Sequence, residues 1–476
     1  MTFTQLLAVV QSGKVRVCAD SRQVQPGDCF VAVRGTQTDG HRFIPMARQR
    51  GALYIVAEQA DDSRCIVVEN SAAALGLLAQ AALGNPASQM TNLAVTGTNG
   101  KTTTSYLVRS VIETAGASCA LVGTIVYSAG STTVDAPLTT PDALTLAKTA
   151  REALDSGTRY MMIEASSHAL SQHRLAGIAF TAAAFTNLTG DHLDYHKTPE
   201  NYLAAKAMLF EALPPHGMAV LNAQSDASKA IAAGIKRRIL WYAIDEPADV
   251  SAHIHRMDDS GSEFGLEFGG IMEKVVTPLC GRHNISNHLA AAGLCLAAGF
   301  SISAIAQGLS ALSCVPGRLE PVLSPIAERR GVRVFIDYAH TDDALANVLT
   351  TLRPICRGRL IVVFGCGGDR DKTKRPRMAH VAETLADTVI VTSDNPRSED
   401  PQAIIEQICE GFSSEKRRSV QIEPDRKKAI FLAISQAQRG DVVLIAGKGH
   451  ETYQIIGTRK YDFSDTLAAQ EALSCL

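Results

Sequence analysis

The sequence predicts an α/β protein of three domains, and three observations carry that prediction. Its 476 residues exceed one ordinary core, at roughly 100–200 residues per domain. Apolar runs of strand length alternate with helical patterns from end to end. The composition, 46% hydrophobic and 20% charged, is that of a globular chain rather than a disordered or fibrous one.

The first segment, 1–90, alternates strand-like runs at 29–33 and 54–57 with short turns and closes on an Ala/Leu-rich helix at 71–83. Gly84-Asn85-Pro86 breaks that helix. A second domain, 91–328, opens on a buried strand at 93–95 that runs directly into a Gly-rich turn and a further helix. Runs at 160–163, 182–185 and 219–221 alternate with helices, which predicts a parallel sheet covered on both faces. Around 318–331 the pattern loosens into Pro and charge, and strands at 332–336, 360–364, 388–391 and 441–445 build a third α/β domain, 329–476. No repeat of solenoid length and no low-complexity tract competes with this division.

Lys and Arg number 46 against 48 Asp and Glu, a formal charge of −2. Such a balance supplies no global field to recruit nucleic acid or an anionic membrane, so an anionic ligand must be held locally. The 11 cysteines are odd in number and contain no CxxC pair, as in a reducing compartment. No basic segment precedes the short apolar run at the start, and no apolar stretch is long enough to span a bilayer. The expectation is a cytoplasmic monomer that acts on small molecules, with no nucleic-acid partner and no transmembrane segment.

The segment Thr96-Gly97-Thr98-Asn99-Gly100-Lys101-Thr102-Thr103 lies between an apolar strand and a helix. That context suits a phosphate-cradling loop: glycines turn backbone N–H groups toward phosphate, the helix N-terminus adds a positive dipole, Lys101 neutralises the outer phosphates and Thr102 can ligate Mg²⁺. The loop is shorter than the usual GxxxxGK[ST]. Glu164 ends the strand at 160–163, where a parallel sheet presents ligands; a metal-ligating carboxylate and a turn-capping acid are both open. Asp191-His192-Leu193-Asp194-Tyr195-His196 follows the strand at 182–185 and offers metal ligands or a polar structural turn. Thr198-Pro199 then starts a helix with Leu203, Lys206, Phe210 and Leu213 on one face. Lys206 therefore reads either as a lysine snorkelling at the margin of an apolar stripe or as a buried amine with a lowered pKa. A neutral amine can take up CO₂ as a carbamate, a metal-binding anion.

Together these segments resemble the Mur ligase family, whose members join an amino acid to a carboxylate through an acyl phosphate. The segment 96–104, Glu164-Ala165-Ser166-Ser167-His168, the cluster at 191–196 and Lys206 fall in the family's order. The resemblance implies the three-domain Mur ligase architecture: an N-terminal UDP-binding domain, a central ATP-binding P-loop domain and a Rossmann-like C-terminal domain that binds the amino acid. It further implies that Gly97, Thr98, Asn99, Gly100, Lys101, Thr102 and Thr103 hold ATP, and that Glu164 and His192 serve two Mg²⁺ positions with Thr102. Lys206 corresponds to the family's carbamylated lysine, N6-carboxylysine, completing a catalytic set of Lys101, Glu164, His192 and Lys206. Asn284 and Asn287 in Gly281-Arg282-His283-Asn284-Ile285-Ser286-Asn287, Arg318 in Val315-Pro316-Gly317-Arg318, and Asp337 in Asp337-Tyr338-Ala339-His340 match positions near the nucleotide. The family usually carries Pro after His-Thr, where this chain has Asp342, a departure expected to touch the turn more than the chemistry.

The N-terminal segments Asp20-Ser21-Arg22 and Gly35-Thr36-Gln37-Thr38-Asp39-Gly40-His41 are similar to the family's uridine-binding domain. By resemblance Ser21, Thr36, Gln37 and Thr38 hold the UDP end, and Thr139, Thr140, Ser166, Gln172 and Arg174 contact the muramoyl peptide and pyrophosphate. Asp394-Asn395-Pro396-Arg397 is the family's diaminopimelate-type signature, completed by Arg370, Gly447 and Glu451. A guanidinium fork at Arg397 suits the second carboxylate that lysine lacks. The implied activity is ATP-dependent addition of meso-2,6-diaminopimelate to UDP-N-acetylmuramoyl-L-alanyl-D-glutamate, with an L-lysine-adding ligase as the alternative.

Overall fold

The computed structural model describes residues 1–35, 38–59, 65–258 and 261–476, of which 193 and 194 by backbone alone. Four parallel strands, Val17–Cys18, Cys29–Val31, Tyr54–Ala57 and Cys65–Val67, form the first sheet in chain order. Its strands are short apolar runs because both faces of a parallel sheet are buried. Helix Ser71–Ala82 starts on the Asn70 side chain, which accepts from Ala73 N at 2.8 Å, and it seats Leu75, Leu78 and Ala79 on this sheet. Ala143 and Ala147 of helix Ala143–Asp155 join the same apolar cluster. The first sheet is thereby anchored to the body that follows.

The second sheet is centred on strand Thr91–Thr96, with Tyr160–Glu164 and Ala182–Phe185 as its parallel neighbours. Parallel pairing continues through Met218–Asn222, Arg238–Ile244 and Val250–Asp258 on one side and to Cys119–Val122 on the other. The expected parallel sheet is therefore correct for the middle and incomplete at both edges. Gly261–Phe268 and Ile271–Thr277 extend one edge antiparallel, and Val126–Ala129 and Thr132–Asp135 the other. The physical reason is exposure: an edge ribbon is largely solvated, so a strand such as Ile271–Thr277 mixes apolar, charged and polar residues and buries only Val275 and Thr277, instead of forming a continuous apolar run. Helices Lys101–Thr114, Arg282–Ala297 and Ile302–Ala311 cover one face, and Ala143–Asp155 and Pro199–Glu211 the other.

The third sheet takes an antiparallel strand, Glu320–Pro321, then Arg333–Asp337, Val442–Ala446, Leu360–Phe364, Thr388–Val391 and Gln421–Ile422, all parallel. Helices Asp342–Leu352 and Lys374–Leu385 bury one face, and Arg426–Gln436 and Asp465–Ser474 the other, the doubly wound arrangement expected of a Rossmann-like unit. Among the described residues no helix is long and apolar enough to cross a membrane.

Candidate active site

The carboxyl ends of Thr91–Thr96, Tyr160–Glu164 and Ala182–Phe185 converge, which is where an open parallel sheet binds ligands. After Thr96 the chain turns through Gly97 (φ 148°) and Gly100 (φ 86°) into helix Lys101–Thr114. A side chain at Gly97 would collide with Thr186 Oγ1, and one at Gly100 with Asn287 Oδ1. Asn187 pins the loop, its carbonyl accepting from Thr98 N at 2.9 Å and its Oδ1 from Asn99 N at 2.9 Å. The helix starts without a side-chain cap, so its first N–H groups remain free for an anion. Lys101 Nζ donates to the loop's own carbonyls, Gly97 O at 2.9 Å and Thr98 O at 2.8 Å. Thr98, Asn99, Gly100, Lys101, Thr102 and Thr103 line a cavity of about 330 Å³ that Asn284, Asn287, Arg318 and Asp337 close from the far side.

Glu164 is fully buried at the floor of this cleft. Its Oε2 accepts from Thr102 Oγ1 at 2.9 Å and Thr124 Oγ1 at 2.8 Å, and its Oε1 from Thr124 N at 3.1 Å and Ser105 Oγ at 3.3 Å. Its backbone continues the network: Thr140 Oγ1 donates to Glu164 O at 2.6 Å, and Ser166 N to Thr140 Oγ1 at 3.0 Å. Thr139 Oγ1 lies 3.2 Å from Thr124 Oγ1, Arg174 Nη1 donates to Thr140 O at 2.7 Å, and Arg174 Nη2 donates to Gln172 Oε1 at 2.6 Å. Thr139, Thr140, Ser166, Gln172 and Arg174 thus form one hydrogen-bonded group beside Glu164. Ser21 is buried in the first domain with its hydroxyl 3.5 Å from Met46 Sδ. Among the described residues no hydrogen bond joins Ser21 or Thr38 to that group, and Thr36 and Gln37 lie outside the described residues.

Lys206 resolves the choice between snorkelling and burial, because it is 1% exposed. Its Nζ donates to Gly97 O at 2.8 Å and stands 4.3 Å from the Tyr202 ring centroid. Burial, reinforced by the Lys101 cation, holds its pKa well below the ordinary lysine value, which favours a neutral amine beside the phosphate loop. His192 adopts a left-handed backbone (φ 56°) and lines the cavity with Asp191. Loss of solvent and the nearby His168, Lys101 and Lys206 push the His192 pKa down to about 3, against the pull of Asp191. His196 belongs elsewhere: it is buried, with Nε2 2.9 Å from Ser167 Oγ.

The segment that enters the third sheet at Glu320–Pro321, and the third domain behind it, reach into the cleft. Arg318 Nη2 donates to Thr102 Oγ1 at 3.3 Å while its guanidinium lies 4.5 Å from the Tyr338 ring centroid. Asp337 accepts from Leu319 N and Ala339 N, each at 2.7 Å, and burial raises its pKa. Asn287 Nδ2 donates to Asn284 Oδ1 at 3.2 Å. Asn99 Nδ2 donates to Asp343 Oδ2 at 2.8 Å, a bond between the phosphate loop and the third domain that sequence reading does not find. Asp342 takes Arg377 Nε at 3.0 Å, tying the starts of helices Asp342–Leu352 and Lys374–Leu385 together.

A second constellation sits at the ends of Thr388–Val391 and Val442–Ala446. Arg397 has a left-handed backbone (φ 51°), and its Nη1 donates to Gly368 O at 2.7 Å. A side chain on Gly367 would meet Arg397 Nη1 at 2.9 Å and Arg370 Cγ at 3.9 Å. Asp394 and Asn395 are buried, and a side chain on Gly447 would lie 2.6 Å from Asp394 Oδ2. Pro396 holds the turn, with Glu399 N donating to its carbonyl at 3.1 Å. Glu451 Oε2 accepts from Asn395 Nδ2 at 2.8 Å and from the fully buried Lys448 Nζ at 2.9 Å. Lys448 is a further residue of this pocket that sequence reading passes over; its signal is a lysine between two glycines.

The turn bearing Arg397 rests on an internal ion pair. Arg375, fully buried, donates Nη1 to Glu399 Oε2 and Nη2 to Glu399 Oε1, each at 3.0 Å. Glu399→Ala leaves that guanidinium uncompensated and is expected to destabilise the third domain by about 3–5 kcal/mol, read by urea unfolding. Hydrogen bonding to Arg375 holds the Glu399 pKa down to about 2, against an ordinary 4.5. The pair's contribution is therefore complete above the ordinary value and fades as acid titrates down through about 2. An unchanged acid limb in the alanine variant would contradict this.

Comparison with known proteins places this geometry. Residues 16–87 match the family model "Mur ligase family, catalytic domain", residues 95–295 "Mur ligase middle domain" and residues 317–449 "Mur ligase, glutamate ligase domain". A UDP-N-acetylmuramoyl-L-alanyl-D-glutamate–2,6-diaminopimelate ligase of Bacillus licheniformis is 43% identical over 462 residues, 95% of this chain and 93% of that protein. The ligase of the same description from Geobacillus thermodenitrificans is 44% identical, covering 95% and 94%. A solved structure of that description, 34% identical, superposes with a TM-score of 0.68 over 97% of this chain and 94% of its own. The MurF ligase from Thermotoga maritima in complex with ADP gives 0.64 at 20% identity over 97% and 98%, a likeness of fold.

Proposed function

This chain belongs to the Mur ligase family, and on that premise we propose that it adds meso-2,6-diaminopimelate to UDP-N-acetylmuramoyl-L-alanyl-D-glutamate, with ATP cleaved to ADP and phosphate. The observation that carries the reading is full-length relationship to ligases of that description at 43–44% identity, joined to the Asp394-Asn395-Pro396-Arg397 turn, buried up to a half-buried Arg397. The product completes the muramoyl tripeptide of peptidoglycan synthesis, and the enzyme works in the cytoplasm as a monomer.

The reaction's obstacle is electrostatic, because a carboxylate must approach an anionic γ-phosphate. Lys101, swinging from its loop carbonyls, and Arg318, from the segment that enters the third sheet, screen that repulsion and stabilise the transferring phosphoryl group. The buried Glu164 carboxylate and the Thr102 hydroxyl bonded to it are hard oxygen donors, and Asp191 and His192 line the cavity that Thr102 also lines. Among the described residues no three His, Cys, Asp or Glu side chains stand together as a ready metal site, so Mg²⁺ would be held by these donors together with the phosphates of ATP. Bound there, Mg²⁺ supplies further charge neutralisation at the phosphates. The neutral Lys206 amine adds to CO₂ with release of one proton, and the resulting carbamate places an anion beside the phosphate loop. Thr139, Thr140, Ser166, Gln172 and Arg174 orient the muramoyl dipeptide, with Ser21 and the 36–38 loop holding the uridine end. The acyl phosphate then meets an amine delivered by the third domain; exclusion of water from that intermediate favours closure of the domains over it, a reading that the Arg318–Thr102 and Asn99–Asp343 hydrogen bonds support.

Incubation with ATP, UDP-N-acetylmuramoyl-L-alanyl-D-glutamate and either diaminopimelate or L-lysine tests the reading by product mass and ADP release; preference for lysine would sink it. Arg397→Lys keeps the charge but removes the planar fork. It is expected to lower kcat/KM for diaminopimelate by about 10²-fold and leave the weak reaction with lysine nearly unchanged, measured by the same assay.

A further inference from the structure

We propose that Lys448 is a positioning residue that sets amino-acid specificity: its buried ammonium fixes Glu451 and Asn395 and keeps the acceptor pocket neutral, favouring a substrate end that carries both ammonium and carboxylate. The inference rests on the reading above, in which Glu451 and Arg397 receive the distal centre of the amino acid.

The geometry is closed on three sides. Lys448 has a side chain with no exposure to solvent, and its Nζ donates to Glu451 Oε2 at 2.9 Å and Asn395 Oδ1 at 3.1 Å. Asn395 Oδ1 also accepts from Ile455 N at 2.9 Å, and its Nδ2 donates to the same Glu451 oxygen at 2.8 Å. These bonds allow one orientation of the Asn395 amide. They also engage Glu451 Oε2 twice, which leaves Oε1 as the oxygen for a substrate ammonium. Gly447 (φ 118°) and Gly449 (φ 52°) flank the lysine. A side chain at Gly447 would meet Asp394 Oδ2 at 2.6 Å, and one at Gly449 would meet Gly317 O at 2.8 Å, so the backbone that turns Lys448 inward admits only glycine at its neighbours.

Charge then decides between substrates. Among the groups shielded from solvent, Asp394 and Glu451 bring two negative charges to the pocket and Lys448 and Arg397 two positive; Arg370 is exposed, so water screens its charge, and Arg426 and Asp465 cancel one another in a fully buried bidentate pair. A neutral pocket suits the distal end of diaminopimelate, an ammonium beside a carboxylate. Lysine ends in an ammonium alone and brings an uncompensated charge into a desolvated site. Without Lys448 the pocket carries a net negative charge, and the balance moves toward lysine by roughly tenfold to a hundredfold.

The test is steady-state kinetics of Lys448→Met with diaminopimelate and with L-lysine, with ATP and the muramoyl dipeptide saturating. The expected result is a KM for diaminopimelate raised at least about tenfold, a kcat/KM ratio shifted toward lysine by at least about tenfold, and a KM for ATP within about twofold of the parent. Lys448→Arg, which keeps the charge, restores part of the ratio. An unchanged ratio in Lys448→Met overturns the proposal. Should that variant not fold, Glu451→Gln gives the opposite sign, because the pocket then turns positive: kcat/KM falls for both amino acids and the ratio moves toward diaminopimelate. A ratio that stays fixed or moves toward lysine overturns the proposal equally. If the native enzyme itself shows no preference for diaminopimelate, or if Arg397→Lys leaves the ratio untouched, the underlying reading of the pocket fails, and Lys448 with it.

Discussion

Lys206→Met is expected to lower kcat by about 10³-fold or more while leaving the protein as stable as before or more so. The two halves have different physical origins. Lys206 is 1% exposed and held by a single backbone acceptor, Gly97 O, which Lys101 Nζ also contacts at 2.9 Å. Removing the amine therefore orphans no acceptor, and an apolar chain of like length is neutral to stabilising by up to about 1–3 kcal/mol. Its pKa lies well below 10.5 in the folded state, so between the two values the unfolded chain binds more protons. Stability consequently rises with pH across that window in the native protein, and the slope is absent in the methionine variant. Urea unfolding at neutral and mildly alkaline pH measures it. Activity falls because methionine cannot carry a carbamate; in Lys206→Ala a short-chain carboxylate is expected to restore part of the rate, whereas bicarbonate does nothing. Full activity in either variant would reject the role.

The cleft divides into features that local sequence reveals and features that it cannot. The phosphate loop is legible because its glycines, its lysine and its strand-to-helix context are contiguous, and the collisions a side chain would meet at Gly97 and Gly100 explain why those positions read as glycine. The strands Ala182–Phe185, Leu360–Phe364 and Thr388–Val391 are legible as apolar runs for the same local reason. The edge ribbons are not, since outer strands such as Thr132–Asp135 and Ile271–Thr277 are largely exposed and of mixed polarity, and so lack that signature. Longer-range features fail altogether. Asn99 and Asp343 are 244 positions apart, and nothing in either neighbourhood signals the other. Lys448 looks like a surface lysine until the fold buries it against Asn395 and Glu451. His192 and His196 look like a matched pair, yet the fold sends one to the cavity and the other to Ser167.

Glu164→Gln is expected to lower kcat by about 10³-fold with little structural cost, and the reason lies in what surrounds the carboxylate. Oε2 meets two hydroxyls, Thr102 and Thr124, and Oε1 meets Thr124 N and the Ser105 hydroxyl. A hydroxyl both donates and accepts, whereas a backbone N–H only donates. A glutamine that places its amide oxygen on the Thr124 N side and its NH₂ against the two threonine hydroxyls can satisfy every partner after those hydroxyls rotate. The substitution then costs no more than about 1–2 kcal/mol of stability, and what it removes is charge. Two consequences converge. Burial lowers the Lys101 pKa and the Glu164 charge opposes that fall, so the variant weakens the cation that must face the γ-phosphate. The proposed Mg²⁺ site loses its one fully buried carboxylate. Initial rates across a Mg²⁺ titration separate these effects: the concentration for half-maximal rate rises, and saturating Mg²⁺ fails to recover the parent kcat because Lys101 remains weakened. A variant that regains the parent rate at high Mg²⁺ would confine Glu164 to metal binding, and one within tenfold of the parent at all concentrations would remove it from the machinery.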